Sequence, residues 1–439
     1  MTEQFTEILD LTLKQGRNVF MSGPGGCGKT YTIKELIEYF KKNSIPYAAT
    51  ALTAVAAYNF GGRTLHSFVF SGYGQGDLKD ILRRINRHKR AAINKIKVLI
   101  IDEVSMLGAQ LMENVNGVLQ NVRRSTLPFG GVTLIVSGDF LQLPPVKDGY
   151  AFKCPSWKAL RFVKVTFSTP YRFEDPAYFA MLQRIRIAQP SENDYKRLEY
   201  RRMDIYDILP DNSLIKPTVI YSLRDDVQNE NTSELAKIEK PSFTFTAIDS
   251  LMYERGDDLI PLNQITQQEL HKITEAKTSM KIIDHKPVFD MMIDSTVVIK
   301  ETAQAMLIYN LDTETGRVNG SRCVIASIND AGVYATFIDG QTIIVPRVTI
   351  TRKLEGNLVL CRSQIPLVLG YAITIHKCQG TSLDCAVVDL GPSVFDNSQA
   401  YVALSRVRKL SGLFLTNFVR KSIRADKDAL AFELGTSGP

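Results

Sequence analysis

Gly23 to Thr30 reads GPGGCGKT, four glycines closed by a lysine and a threonine. This fits the pattern GxxxxGK[ST], in which backbone N–H groups wrap a phosphate chain because little side chain stands in the way. Gly23, Pro24, Gly25, Gly26, Cys27 and Gly28 form the cradle. Lys29 reaches the β- and γ-phosphates of a nucleoside triphosphate such as ATP, and Thr30 offers its hydroxyl to Mg2+. The helix expected to start here adds its positive end to the same anion. What is done with the energy of the phosphate must be read elsewhere in the chain.

Hydrolysis needs a metal ligand and a group that activates water. The run VLIIDEVSM, Val98 to Met106, supplies both. Its four apolar β-formers indicate a strand buried on both faces of a parallel sheet. Its carboxyl end delivers Asp102 and Glu103 to the edge where ligands bind in open α/β sheets. Asp102 is assigned to Mg2+ through water, and Glu103 to orienting and deprotonating the attacking water. A further apolar run, VTLIVSGDFLQLPPV, ends in Gly138, Asp139 and Gln142. Gln142 can hydrogen-bond a γ-phosphate or its water, and Pro144 and Pro145 stiffen the loop that carries it.

These side chains need a frame. NVF before the glycine turn reads as a strand, and YTIKELIEYF after it as an amphipathic helix. A similar α/β pattern returns in PTVIYSLRDDVQNENTSELAKI, in IPLVLGYAITIHKCQGTSLDCAVVDLG, and in SQAYVALSRVRKLSGLFL. Two α/β lobes with one phosphate loop put the nucleotide in a cleft, with cations supplied from the second lobe. Arg406, and Arg172 in TPYRFEDP, are the candidates, since a bidentate guanidinium suits transition-state charge. On these residues alone kinases, transport motors, AAA-type machines and helicases stay open.

Composition narrows the field only a little. The 439 residues are 44% apolar and 23% charged, an ordinary balance for a chain of more than one globular domain. No run of about 18 uncharged apolar residues suggests a membrane span. The first residues carry acids early, so no secretory signal is expected. Six cysteines are scattered without a CxxC pair, which argues against a zinc site or a disulfide framework and fits a reducing, intracellular compartment. The formal charge of +7 permits a polyanion partner without requiring one. The densest basic stretch, Arg83 to Lys97, reads either as a solvated helix face or as a phosphate-contacting arm.

The motifs taken together resemble the Pif-type, superfamily-one DNA helicases. The likeness is carried by GPGGCGKT, TALTAVAAYNFGGRTLHSF, IIDEVSM, PFGGVTLIVSGDFLQLPPV, YRFEDPAYFAMLQRIR, RVNGSRCVIASI, GYAITIHKCQGTSLDCAVVDLG and QAYVALSRV, through most of the chain. The related RecD-like and Dda-type helicases usually lack the FGG…GDFLQLPPV run. The resemblance implies an α/β fold of two RecA-like parallel-sheet lobes. Residues 1–168 would form the first lobe, with a wedge insertion at about 69–97. Residues 169–309 and 363–439 would form the second, interrupted by an inserted small β-barrel at 310–362. It implies ATP- and Mg2+-dependent 5′→3′ translocation on single-stranded DNA and duplex unwinding, with G-quadruplexes and DNA–RNA hybrids as further substrates. It places Gln4 where the family reads adenine. It matches Arg172 and Arg406 to the arginines that meet the γ-phosphate from the second lobe, and Gly380 to the glycine of the nucleotide-facing turn. Cys323 and Cys378 depart from the family's usual glycine and serine.

A motor that steps over every base must grip the backbone without reading sequence. That favours hydroxyls, amides, a few cations and stacking aromatics. Thr50, Thr53, His66, Ser67 and Phe68 lie in the stretch that lines the single strand in the family, and Thr374, His376 and Lys377 do so from the second lobe. Phe70 or Tyr73, in the wedge, is the expected strand-separating aromatic. Alternating short strands between about Asn310 and Arg362 suggest the barrel. The region 241–295 matches the family poorly. The expected partners are single-stranded DNA and 5′-tailed duplex DNA, with no membrane, and a monomeric motor core close to bare of extensions. Two readings compete: a translocase that strips proteins without productive unwinding, and a catalytically idle nucleic-acid scaffold.

Overall fold

The computed structural model describes residues 3–70, 77–85, 87–202, 215–255, 258–269, 293–312, 315, 317–353 and 358–435. The chain divides into two compact units, Met1–Ala188 with Arg424–Pro439, and Gln189–Ile423.

The first unit is built on a parallel sheet. Its strands are β1 (Val19–Ser22), β2 (Tyr47–Ala51), β3 (Arg63–Thr64), β4 (Val98–Asp102), β5 (Thr133–Gly138) and β6 (Val163–Thr166), in the order β3-β2-β4-β5-β1-β6. Every residue of β1 and β4 is buried, as the unbroken apolar runs require of strands covered on both faces. Alternation then sorts the side chains. Phe20, Leu99, Ile101, Leu134 and Val136 enter one core, and Val19, Met21, Val98, Ile100 and Ile135 the other. The helix Lys29–Lys42 covers the second face with Ile33, Leu36, Ile37 and Phe40. The helix Ala109–Arg123 covers the first with Met112, Val115, Val118 and Leu119. Both sets follow the 3.6-residue period.

The basic stretch is helical. The helices Leu78–Arg84 and Arg87–Lys95 bury Ile81 and Ile93, and Ile85 and Ile96 join the same core. The guanidinium of Arg90 donates to the carbonyls of Leu82 and Ile85, and that of Arg123 to the carbonyls of Ile93, Asn94 and Ile96. Leu78–Arg84 and Arg87–Lys95 are therefore helices packed on the first unit with one side solvated. Phe70 is 2% exposed within this core, so it is not placed to pry DNA strands apart. Tyr73 lies outside the described residues.

Two segments group with the first unit against the sequence division. The helix Pro176–Arg186 buries Tyr178, Met181, Leu182 and Ile185. The helix Lys427–Leu434 sets Phe432 among Phe20, Phe140, Phe152 and Trp157, with ring centroids 4.3–6.0 Å away. A boundary at residue 168, with everything after 363 in the second lobe, misses both, because the contacts that hold these helices are remote in sequence.

The second unit carries its own parallel sheet, formed by β7 (Thr218–Tyr221), β19 (Ala372–Thr374), β20 (Ala386–Leu390) and β21 (Leu413–Phe418) in the order β19-β7-β20-β21. With the sheet of the first unit, this gives the two lobes expected. Between β7 and β19 run eleven antiparallel strands among the described residues, from β8 (Ser242–Thr246) to β18 (Leu367–Leu369). They pair as sheets of five, four and two strands. The insertion is thus larger than 310–362 and takes in some of the poorly matched region. The strand Leu358–Gln364 pairs with Ile248–Arg255, from Leu358↔Tyr253 to Ser363↔Ile248, a partner no local pattern discloses.

Candidate active site

The phosphate loop leaves β1 at Ser22 and enters the helix at Lys29. At two glycines the backbone leaves no room for a side chain. A Cβ on Gly23 would stand 2.1 Å from the carbonyl oxygen of Phe167, and one on Gly26 2.6 Å from the Cβ of Arg172. Gly26 also has φ +82°. The ammonium of Lys29, largely buried, donates to the carbonyls of Gly23 and Pro24 at 2.5 and 2.8 Å, inside the turn. The first unit thus folds the loop around its own cation, which two carbonyls of the turn hold.

Two parallel strands beside it deliver the acids. The hydroxyl of Thr30 donates to Asp102 Oδ2 at 3.2 Å, bringing together the pair assigned to the metal. Asp102 is 3% exposed, and burial pushes its carboxyl above the ordinary carboxylate range, partly countered by the Lys29 charge. Mg2+ is bound by one or two protein oxygens together with substrate phosphates, and a hydroxyl and a carboxylate at the head of the loop fit that donor set. Glu103 follows with φ +57° and ψ +44°, the left-handed region that non-glycine residues avoid. Its backbone N–H donates to Asp102 Oδ1 at 2.9 Å, so the turn that aims Glu103 is tied to the residue before it.

From β5 comes the third loop. Gln142, 4% exposed, donates its amide to Asp139 Oδ2 at 3.5 Å, and its backbone N–H to the Asp139 carbonyl at 2.9 Å. Asp139 is fully buried, and Arg186 grips its carboxylate through Nε and Nη2 at 2.7–3.1 Å. Sequence reasoning gives neither Asp139 nor Arg186 a role; their pairing needs a helix 47 positions away.

A cleft of about 350 Å3 opens beside the loop, lined by Gln4, Cys27, Gly28, Tyr31, Thr32, Phe167, Ser168, Thr169 and Tyr171. Gln4 therefore lines the cleft beside the phosphate loop. Tyr31 and Tyr171 were missed by sequence reasoning. The ring of Tyr171 packs at 3.1 Å over the place where Gly28 would carry a Cβ. The one available signal was adjacency, since Tyr31 follows GKT and Tyr171 precedes Arg172. Arg172 donates its backbone N–H to the Gly26 carbonyl at 3.1 Å. It belongs to the first unit, not the second as the resemblance implied, because the chain returns from β6 directly over the loop.

The residues proposed to meet DNA divide. Thr50 is fully buried and its hydroxyl donates to the Ile100 carbonyl at 2.6 Å, so that hydroxyl is spent on stitching β2 to β4. Phe68 is 4% exposed, with the Arg63 guanidinium 5.7 Å from its ring centre, and it belongs to the core. Both corrections have one cause: the phase of the element turns these side chains inward. Thr53 caps the helix Ala54–Tyr58 by accepting from the Ala56 N–H. Ser67 donates to the Thr64 carbonyl at 2.9 Å, and His66 packs 6.0 Å from Phe70, its pKa lowered by burial.

In the second unit Thr374 caps the short helix Ile375–Cys378 through the Lys377 N–H, while His376 and Lys377 are exposed. Gly380 follows with φ +83° and open space around it. Arg406, 1% exposed, is not directed outward. Its guanidinium donates to Val402 O and Ser405 Oγ at 2.8 Å, and to the carbonyls of Cys378 and Thr381 at 3.5 and 3.4 Å. In this structure it holds the turn that contains Gly380.

The model of the PIF1-like helicase family matches residues 2–173. Over 98% of its length the chain is 32% identical to the ATP-dependent DNA helicase PIF1 of Danio rerio, and spans 63% of that protein. Over 94% it is 30% identical to the ATP-dependent DNA helicase Pif1 of a Psychrobacter strain, and spans 68% of it. The solved Pif1 helicase of Candida albicans is similar at TM-score 0.77 and 27% identity, over 100% of this chain and 99% of that one. The Bacteroides Pif1 solved with ADP-AlF3 and ssDNA is similar at TM-score 0.66 and 25% identity, over 99% and 96%. The likeness runs through both units and through the loops just described, and the chain belongs to the PIF1-like helicase family.

Proposed function

We propose that the chain is an ATP-dependent DNA helicase that translocates 5′→3′ on single-stranded DNA and unwinds the duplex ahead of it. The observation that carries this reading is the convergence of Lys29, Thr30, Asp102, Glu103 and Gln142 at the carboxyl ends of three neighbouring parallel strands. The names of its relatives and the ADP-AlF3 and ssDNA bound to the Bacteroides protein support it.

In this reading the loop N–H groups and Lys29 hold the triphosphate, and the base enters the cleft beside Gln4, Tyr31 and Tyr171. Thr30 and Asp102 would hold Mg2+, which neutralises phosphate charge when bound. Glu103 takes the proton of the attacking water, Gln142 senses the γ-phosphate, and Arg172 adds a cation beside the loop. Arg406 acts on the same reaction by fixing the Gly380 turn. His376 and Lys377, with Thr53, His66 and Ser67 of the first unit, meet the DNA backbone, and a single chain works on the tracking strand.

The test is strand separation on two partial duplexes, one with a 5′ tail and one with a 3′ tail, with ATP turnover followed in the same reaction. Unwinding of the 5′-tailed duplex alone is expected. Unwinding of the 3′-tailed duplex alone reverses the polarity, and DNA-stimulated turnover without separation of either leaves a translocase.

A further inference from the structure

One carboxylate joins the two loops that carry Lys29 and Gln142, and it belongs to neither. Glu433, on the helix Lys427–Leu434, accepts from the Ser22 hydroxyl at 2.8 Å and from the Phe140 backbone N–H at 3.2 Å. Ser22 is the residue before the phosphate loop, and Phe140 lies between Asp139 and Gln142. These partners are 411 and 293 positions away in sequence. The Lys164 ammonium stands 3.0 Å from Glu433 Oε2, and Arg186 Nη2, already bound to Asp139 at 2.7 Å, lies 3.9 Å from the same oxygen. The side chains of Asp139, Glu433 and Arg186 are 0, 3 and 11% exposed. Two carboxylates and two cations thus balance at the foot of both loops, with Asp139, Glu433 and Arg186 buried and the Lys164 side chain 37% exposed at the edge.

Packing alone does not call for a charge here. Phe432, the preceding residue, already anchors the helix in the aromatic cluster of Phe20, Phe140, Phe152 and Trp157. A buried carboxylate is costly unless its acceptors are used, and it then fixes geometry more strictly than an alkyl group. The donors it uses are those that set the height of the Asp139–Gln142 loop against the phosphate loop.

We propose that Glu433 is a positioning residue for ATP hydrolysis: with Arg186 its carboxylate fixes the Asp139–Gln142 loop relative to the phosphate loop. This rests on the ATPase reading above. A loop displaced by about 1 Å still binds nucleotide but misaligns the group that meets the γ-phosphate, an error that can lower turnover by up to about a hundredfold.

The experiment compares the wild-type chain with Glu433→Gln, Glu433→Asp and Phe432→Leu. It records kcat and KM for ATP with single-stranded DNA present, the Kd for a fluorescent ADP, and the melting temperature. Glu433→Gln keeps an acceptor for the Phe140 N–H but sets an amide donor against the Ser22 hydroxyl and the two cations. The expected result is a fall in kcat of about ten- to a hundredfold with KM and Kd within about threefold, and partial recovery in Glu433→Asp. Phe432→Leu loosens the helix without touching the carboxylate and should lose melting temperature while keeping most of kcat. A kcat within about twofold of wild type in Glu433→Gln overturns the proposal. So does an equal loss of kcat in Phe432→Leu at matched melting temperature. Should Glu433→Gln not fold, Glu433→Asp decides: a reduced kcat at unchanged Kd supports the proposal, and an unchanged kcat overturns it. Absence of DNA-stimulated turnover in the wild-type chain brings down the ATPase reading, and this inference with it.

Discussion

Lys29, Glu103 and Asp139 show three ways in which one side chain can matter. Lys29 is the only side-chain cation folded inside the phosphate loop among the described residues of that turn. Lys29→Ala should lower ATP turnover by at least about 10²–10³-fold, read as phosphate release, with the fold intact by circular dichroism. Glu103 holds its left-handed backbone in the native chain, and Glu103→Gln keeps that backbone and loses the base. Turnover should fall about 10²–10⁴-fold while a fluorescent ATP analogue still binds; normal turnover would assign the base elsewhere. Asp139 matters to the fold itself. Asp139→Ala leaves Arg186 buried without its bidentate partner and should lower unfolding free energy by about 3–5 kcal/mol in urea titration. His66 sets a pH dependence. Burial lowers its folded pKa below the ordinary 6.5, so the unfolded chain binds the proton more readily. Its contribution to stability is fully present above pH 6.5 and is lost as pH falls from there toward the folded value. Melting temperature should therefore drop between about pH 7.5 and 5.5, and less steeply in His66→Gln.

At the scale of elements, the phase of a strand or helix decides what a residue can touch. Thr50 sits in a strand whose alternate positions face opposite cores, and Phe68 in a helix that turns it into one of them. Phe68→Ala should cost about 3–5 kcal/mol of stability with the DNA affinity of the folded protein changed less than about twofold. A large affinity loss at full stability would return Phe68 to the DNA face. These elements also mark what the sequence discloses. The phosphate loop and the Asp102–Glu103 pair were legible as structure because their pattern is contiguous: a glycine turn, a lysine and an apolar strand ending in acids announce the parallel sheet and the loops at its edge. Tyr171 was not legible, because a tyrosine in a loop has no spacing that says it lies over Gly28. Nor was the helix Lys427–Leu434, since the partners of Phe432 and Glu433 lie between residues 20 and 186. The inserted strands were half legible. Their alternation was plain from residue 310 onward, but β9 (Ile248–Arg255) declares itself only by pairing with Leu358–Gln364.

For the whole molecule, single-strand binding that grips phosphates must release counterions, and log K against log salt should fall by about 0.7 per phosphate contact. Lys377→Ala should weaken binding evenly across DNA sequences and flatten that slope by about one contact; a slope unchanged from wild type would remove Lys377 from the DNA path. The path of the chain adds a consequence of its own. The polypeptide leaves the first unit after Ala188 and returns at Arg424. On a ribosome the sheet that carries the phosphate loop is made before the second unit. The aromatic face of Phe20, Phe140 and Phe152 then waits for Phe432, which emerges on the order of tens of seconds later at roughly 5–20 residues per second. Through that interval the nascent first unit presents an apolar surface that a chaperone can hold. Of the two units, the one whose sheet is synthesised earlier is closed by the segment that follows the other.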